Sequence, residues 1–316
     1  MYPHNSETTR IAILDFGTNT FNLLITEVSA ENKLNVLHTS KEAVKLGEGG
    51  ITKKIITEQA FKRGLSAIER HLVKVKEFNV NKVYAFATSA IREASNGKDF
   101  IFAVQEKFDI YVLIIPGERE AEMIYRGVRL SIDMEEKPML ILDIGGGSNE
   151  FIIANKKEIF WKHSFNLGMA RLLETFNPSD PISRQQIEKL KAYLKTELKE
   201  LFAAVSKYKP GVLLGASGSF ETISAILKHR KPGRYGPNHN PAREINLEDF
   251  FELHEILLKS TIEERRVMQG MEPVRVEMIV LASIFIFVTI KECGINKIIQ
   301  SDYALKEGVI AEILNL

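Results

Sequence analysis

The sequence predicts an α/β fold built twice, and three observations carry that expectation. A strand ending in Asp-x-Gly, followed by a polar turn and a second strand, occurs at Asp15-Phe16-Gly17 and again at Asp143-Ile144-Gly145. Such self-similarity marks an internal duplication. Around each copy, short apolar runs alternate with stretches of helical period, the grammar of sheets flanked by helices. At 316 residues the chain also exceeds the roughly 250–300 at which a single core stops growing, so two domains are expected.

Taken in order, residues 11–15 and 21–28 read as strands joined by Gly17-Thr18-Asn19-Thr20, a β-hairpin with a turn of Gly, Thr and Asn. Residues 34–46 supply a third strand that ends in Gly47-Glu48-Gly49-Gly50. Ala60, Phe61, Leu65, Ile68, Leu72 and Val75 lie at helical spacing, which predicts a helix over 57–78 with Thr57 as N-cap. A strand at 83–87, a helix at 91–108, a strand at 112–115 and a helix at 118–130 complete the first copy.

The grammar then restarts. A strand at 139–142 ends in Asp143 and is followed by Gly145-Gly146-Gly147-Ser148-Asn149, a strand at 150–154, the turn Lys156-Lys157 and a strand at 158–165. A long amphipathic helix is expected over 183–208, a strand at 212–214 and a helix at 218–228. The Pro- and Gly-rich segment 231–241 reads as a surface loop. Helices near 247–259, 262–268 and 274–293, a strand at 297–300 and a last helix from Ala304 close the chain.

Composition narrows the function. Lys and Arg total 42 against 41 Asp and Glu, a net charge of +1, so the chain has no global positive field for gripping nucleic acid or an acidic membrane. No DNA, RNA or membrane partner is expected. Cys293 is the one cysteine, which excludes an intramolecular disulfide and suits a reducing, cytoplasmic compartment. The first ten residues lack the apolar core of a signal peptide. The most apolar stretch, 278–290, is shorter than the roughly 20 residues that span a bilayer and reads as a buried helix. The seven histidines form no recognised ligand motif, and His163, Trp161 and Phe165 read as packing residues of a strand.

The chemistry is expected in the loops. Each hairpin sets a carboxylate, Asp15 or Asp143, beside glycines that let backbone amides approach an anion and beside neutral Ser, Thr or Asn donors. The aspartates would repel a bare phosphate but hold a Mg²⁺ that bridges to it, usually through water. A tight turn needs no ligand to explain it, so one copy alone would mean little; two copies make a magnesium-phosphate site the better reading. Gly215-Ala216-Ser217-Gly218-Ser219 adds a third strand-to-helix glycine loop. Neither a P-loop, nor a dinucleotide fingerprint, nor a nucleophile elbow occurs.

Eight segments in order, IAILDFGTNTFNLLI (11–25), VKLGEG (44–49), ATSAIREA (87–94), PGEREAEMIYRGV (116–128), LDIGGGSNEF (142–151), SFNLGMARL (164–172), GASGSFETISAI (215–226) and SDYALKEG (301–308), resemble the exopolyphosphatase/guanosine pentaphosphate phosphohydrolase (Ppx/GppA) family over essentially the whole chain. The resemblance implies an α/β fold of duplicated actin-like ATPase (ribonuclease H-like) domains with an interdomain cleft. The domains are then expected at 1–125, completed by a C-terminal helix at about 303–316, and at 126–316. The chain resembles the short two-domain form, without the helical C-terminal extension of longer members.

Carried over motif by motif, Glu120 resembles the carboxylate that activates the attacking water, Glu150 the second essential acid, and Asp143 the magnesium-associated aspartate. Asp15 and Glu150 join Asp143 as expected metal ligands. Phosphate is expected on Gly17, Thr18, Asn19, Gly145, Gly146, Gly147, Ser148, Gly215, Ser217 and Gly218, and on Arg92, whose guanidinium can hold two phosphate oxygens. Arg171, Arg265, Arg266 and Arg275 are further basic candidates. Thr18 and Thr20 stand where relatives commonly carry Ser, Lys45 where Arg is more usual, and Asn149 where Thr is common, which changes the donor geometry beside Glu150. The implied activity is Mg²⁺-dependent removal of the terminal phosphate of linear polyphosphate. Alternatives are cleavage of guanosine pentaphosphate at the same site, or a weakly catalytic sensor of alarmone or polyphosphate; a kinase of the same superfold is disfavoured by the Glu120 and TSAIREA motifs. A homodimer is also implied, although the apolar helix at 276–290 reads as core.

Overall fold

In the computed structural model, which describes residues 8–29, 34–235 and 240–315, alternating apolar runs become two mixed sheets. The chain divides into two units, one running to Pro116 and resumed from Val309, the other Gly117–Gly308.

The first unit holds β1 (Thr9–Phe16), β2 (Thr20–Val28), β3 (Leu34–Ala43), α1 (Glu58–Glu77), β4 (Lys82–Ala87), α2 (Ser89–Glu93), α3 (Gly97–Phe108) and β5 (Val112–Ile114). Its sheet order is β3-β2-β1-β4-β5. β1, β2 and β3 pair antiparallel in sequence, whereas β4 and β5 continue from β1 in parallel. Leu14, Phe16, Phe21 and Leu23 pack with Ala67, Ile68, Phe100 and Val104 of α1 and α3 in the core of this unit. Thr57 caps α1, its hydroxyl accepting from the Ala60 amide at 3.3 Å.

The second unit begins with α4 (Gly117–Ser131), then β6 (Met139–Ile144), β7 (Asn149–Ala154), β8 (Ile159–Phe165), α5 (Met169–Phe176), α6 (Arg184–Glu197), α7 (Lys199–Tyr208), β9 (Val212–Ala216) and α8 (Gly218–Arg230). It continues with β10 (Ala242–Ile245), α9 (Leu247–Lys259), α10 (Ile262–Val267), α11 (Ile279–Cys293) and β11 (Lys297–Ser301), before α12 (Leu305–Ile313) returns the chain to the first unit. The sheet order β10-β11-β9-β6-β7-β8 contains β8-β7-β6-β9-β11, which repeats the first order and the same strand directions. The duplication is therefore structural, and the fold is the duplicated actin-like, ribonuclease H-like α/β class. α11 is buried on nearly every face, from Ile279 to Cys293, so it is the core helix its composition suggested. Among the described residues no helix is long and apolar enough to cross a membrane.

Several elements differ from the expected pattern, each for a local reason. The helix expected over 91–108 is broken into α2 and α3, because the Asn96 side chain is committed to the backbone of Ile56: its Oδ1 accepts from that amide and its Nδ2 donates to that carbonyl, both at 2.9 Å. The helix expected over 183–208 breaks at Leu198, whose backbone (φ −91, ψ 16) ends α6 and starts α7. Leu190, Leu194, Leu198 and Leu201 stay in phase across that break, so periodicity cannot show it. α11 starts at Ile279, after a 3₁₀ turn over Pro273–Arg275. α5 and β10 were not expected; one is eight residues long and the other is a four-residue edge strand beside Pro241. β3 stops at Ala43. Residues 236–239 of the expected loop, like residues 1–7 at the N-terminus, lie outside the described residues.

Candidate functional site

The second hairpin brings two expected acids together. In the β6–β7 ladder Asp143 stands directly opposite Glu150, and directly paired residues of antiparallel strands share a face of the sheet. Both are buried, Asp143 at 8% and Glu150 at 1% exposure. Burying two carboxylates side by side needs compensating donors. Ser148 and Ser164 each donate a hydroxyl to Glu150 Oε1 at 2.7 Å. Ser217, whose positive φ of 63° places it at the N-cap of α8, donates to Asp143 Oδ1 and lies 3.3 Å from the Ile144 carbonyl.

The turn between these strands is held from behind. The amides of Gly168, Met169 and Ala170 at the start of α5 donate to the carbonyls of Gly147, Gly145 and Gly146 at 3.2, 2.9 and 2.8 Å. Arg171 adds its Nε to the Gly147 carbonyl at 3.2 Å. Asn149 is fully buried; its Oδ1 accepts from the Gly145 amide at 3.1 Å and its Nδ2 donates to the Leu167 carbonyl at 2.8 Å. With the loop carbonyls taken by α5, the Gly146 and Gly147 amides donate to no protein acceptor among the described residues. That is the backbone chemistry of an anion nest.

Glu120 lies in the first turn of α4 and is 8% exposed, so the reading of a solvated acid does not describe it. Its neighbours tie the helix to β8, where Lys162 donates to Glu122 and His163 Nδ1 lies 3.6 Å from Glu118; within α4, Arg119 donates to the Glu122 carboxylate at 2.6 Å. The Lys162 hydrogen bond above all, with Arg119 adding to it, holds the Glu122 carboxyl below the usual range.

Gly215, near the end of β9, lies against the Phe220 ring, and Gly218, the first residue of α8, lies against the Arg275 guanidinium. The other expected residues lie in the first unit. Asp15 stands opposite Asn22, whose Nδ2 donates to Asp15 Oδ2 at 2.9 Å. Gly17 donates to the Thr20 carbonyl at 3.1 Å, while the carbonyls of Thr18 and Asn19 accept from Gly47 and from Val44 and Lys45. Arg92, in the last turn of α2, donates Nη1 to the Ile115 carbonyl at 3.0 Å and is half-buried. Of the further arginines, Arg265 is a structural brace: it donates to the carbonyls of Val276 and Ser260 and, at 2.7 Å, to Asp180.

Sequence reasoning missed Ser164, the α5 N-terminus and the link from Ser217 to Asp143. Cross-strand register, with Glu150 opposite Ser164, is the signal that reveals the first. Among the described residues no group of three or more His, Cys, Asp or Glu side chains converges as a ready-made metal cage. A Mg²⁺ site does not require one, because this ion takes one or two carboxylates and completes its shell with water and phosphate oxygens. The Asp143–Glu150 pair with its hydroxyl neighbours fits that donor set.

A duplicated actin-like core with an acid pair beside a glycine turn defines a phosphate-handling class of protein. The chain belongs to the Ppx/GppA phosphatase family, whose model matches residues 24–316, and it is a hydrolase of the phosphatase type. Among solved structures, an exopolyphosphatase from Cytophaga hutchinsonii is 38% identical, with a TM-score of 0.94 over 97% of this chain and 98% of that one. Exopolyphosphatase 1 of Mycobacterium leprae is 26% identical over 97% of this chain and 90% of its own length. A bifunctional 3-dehydroquinate synthase/phosphatase of Fusobacterium nucleatum is 28% identical over 95% of this chain, which spans only 46% of that protein.

Proposed function

We propose that the protein is a Mg²⁺-dependent exopolyphosphatase that hydrolyses the terminal phosphate of linear polyphosphate. The observation that carries this reading is the buried Asp143–Glu150 pair beside a glycine turn whose carbonyls are taken by α5. The exopolyphosphatase names of the relatives support the substrate.

Asp143 and Glu150 would hold Mg²⁺, which when bound neutralises charge on the phosphates. The amides of Gly146 and Gly147 receive the terminal phosphate oxygens, while Ser148 spends its one hydroxyl proton on Glu150 and keeps that carboxylate in place. Glu120 orients the attacking water and accepts its proton as the P–O bond to the remaining chain breaks. In-line transfer to water asks for this positioning and little covalent work from the protein. Ser164 and Ser217 keep the two acids in place as charge shifts during the step.

The test is phosphate release measured by malachite green on long-chain polyphosphate, guanosine pentaphosphate and ATP, with and without Mg²⁺. Release from polyphosphate that needs Mg²⁺ and falls by about 10²-fold or more in Glu120→Gln is expected. Undiminished release in that variant sinks the role of Glu120, faster release from guanosine pentaphosphate moves the substrate to the alarmone, and tight binding with no release makes the protein a sensor.

A further inference from the structure

We propose that the groove between α4 and β8 is a nucleotide-binding site separate from the carboxylate pair, stacking a base on Trp161 and holding its phosphates on Arg126, Arg129 and Lys157. α4 and β8 run past one another in opposite directions. Glu118 meets His163 near one end, Glu122 is bonded by Lys162, and further along the helix the Tyr125 hydroxyl donates to the Asn155 carbonyl at 2.8 Å. Between the later turns of α4 and the start of β8 this leaves a groove of about 490 Å³. That is the size of a small-ligand site.

Its walls have two characters. Four cations, Arg126, Arg129, Lys157 and Lys162, line it against two acids, Glu122 and Glu158, an excess of 4 − 2 = 2 positive charges. Lys162 is committed to Glu122, Lys157 pairs with Glu136 at 3.2 Å across exposed surface and must turn from it to meet a phosphate, and Arg129 lies over the Tyr125 ring, 5.4 Å from its centroid. The remaining wall is aromatic. Phe160 is stacked on Tyr208, and Trp161, the chain's single tryptophan, is half-buried beside these cations with one side of its ring toward His163, at 6.2 Å between centroids. A bare polyphosphate strand satisfies the cations but makes no use of the aromatic wall, and an uncharged ring does the reverse. A phosphorylated nucleoside uses both, through base stacking and charge-assisted hydrogen bonds.

The single tryptophan makes the groove readable by itself. Fluorescence of the full-length protein is titrated with ATP and GTP, and separately with adenosine and with tripolyphosphate. A saturable quench by the nucleotides is expected, with adenosine and tripolyphosphate each at least about tenfold weaker. The double variant Arg126→Ala/Arg129→Ala should bind the nucleotides about tenfold more weakly, by fluorescence and by calorimetry, while releasing phosphate from polyphosphate at the wild-type rate. No saturable response below about 1 mM nucleotide, an equal response to tripolyphosphate, unchanged binding in the double variant, or loss of its phosphate release would each overturn the proposal. Because the fluorescence arm needs no turnover, it stands or falls independently of the exopolyphosphatase reading.

Discussion

The two hairpins of this protein are built on the same plan and differ most at the position opposite the aspartate. In each, a glycine follows the Asp-x pair and turns tightly: a Cβ on Gly17 would lie 2.8 Å from the Thr20 carbonyl oxygen, and one on Gly145 would lie 2.4 Å from that of Ser148. In each, the segment after the third strand braces the turn, 44–47 in the first unit and 168–170 in the second. In each, a hydroxyl residue after the fourth core strand reaches the residue following the aspartate: Thr88 Oγ1 lies 3.4 Å from the Phe16 carbonyl, and Ser217 Oγ 3.3 Å from that of Ile144. The difference is opposite the aspartate, where the first unit has Asn22 and the second Glu150. Asn22 gives Asp15 Oδ2 a neutral donor and adds no charge of its own. Glu150 instead places a second carboxylate beside Asp143, and three serine hydroxyls, Ser148, Ser164 and Ser217, donate to the pair.

Removing that charge should have the largest effect. Glu150→Gln places an amide opposite the aspartate, as Asn22 does in the first hairpin, and phosphate release is expected to fall by about 10³-fold or more at saturating Mg²⁺. The reverse exchange, Asn22→Asp, puts two carboxylates opposite one another in the first unit with no added donor. It should cost about 1–3 kcal/mol of unfolding free energy at neutral pH, recovered as one carboxyl protonates on acidification. Chemical denaturation at several pH values measures it. A Glu150→Gln enzyme with near-normal turnover would mean that the asymmetry of the hairpins has no catalytic meaning.

The braces give intermediate effects. Asn149→Leu keeps the branching at Cγ but removes both bonds of the side chain, so the Gly145 amide and the Leu167 carbonyl lose their buried partners. A loss of stability of about 1–3 kcal/mol is expected, with a fall in kcat of about tenfold or more from a loosened turn. Asn149→Thr, with a smaller polar side chain, should retain more activity than Leu. Ser217→Ala and Thr88→Ala then separate the duplicated hydroxyls. Only Ser217 also reaches the aspartate, so about a tenfold loss of kcat is expected for Ser217→Ala and less than about twofold for Thr88→Ala. Equal losses would show that both hydroxyls act only on the backbone.

How much of this was legible in the sequence depends on what sets each feature. The hairpins, α1 and the duplication are local: apolar period, turn residues and a capping Thr57 suffice. The breaks at Asn96 and Leu198 are set by a remote backbone partner in one case and by a single dihedral pair in the other, and the second leaves the hydrophobic pattern undisturbed. The acids of the site were visible as letters. Their pairing was not, because Asp143 and Glu150 become neighbours only through register. Asn149 illustrates the limit: from sequence it was an altered donor beside Glu150, whereas in the fold both ends of its amide are committed to the turn and to the strand behind it.

A parallel pair of histidines offers the smallest test of the comparison, through pH. His71 in the first unit and His254 in the second are both buried, at 1% and 2% exposure. His71 Nε2 lies 3.1 Å from the Phe21 carbonyl and Nδ1 3.2 Å from Ser40 Oγ, whereas His254 contacts Ser283 Oγ at 3.1 Å and stacks between Phe250 and Phe287. Burial lowers both pKa values, and the carbonyl beside His71 opposes the shift there; His254 is brought down to about 4. A folded pKa below the unfolded value of 6.5 means that the unfolded chain binds the proton more readily. The neutral ring therefore costs nothing above pH 6.5, and stability falls as pH drops from there toward 4. At pH 5 the His254 contribution is about 2 kcal/mol of lost stability. His254→Phe should flatten the unfolding free energy between pH 7 and pH 5 by roughly that amount, and His71→Phe should flatten it less while also losing its two polar contacts. Denaturation curves at the two pH values decide it, and a His71 variant that flattens the profile more than the His254 variant would contradict the assignment.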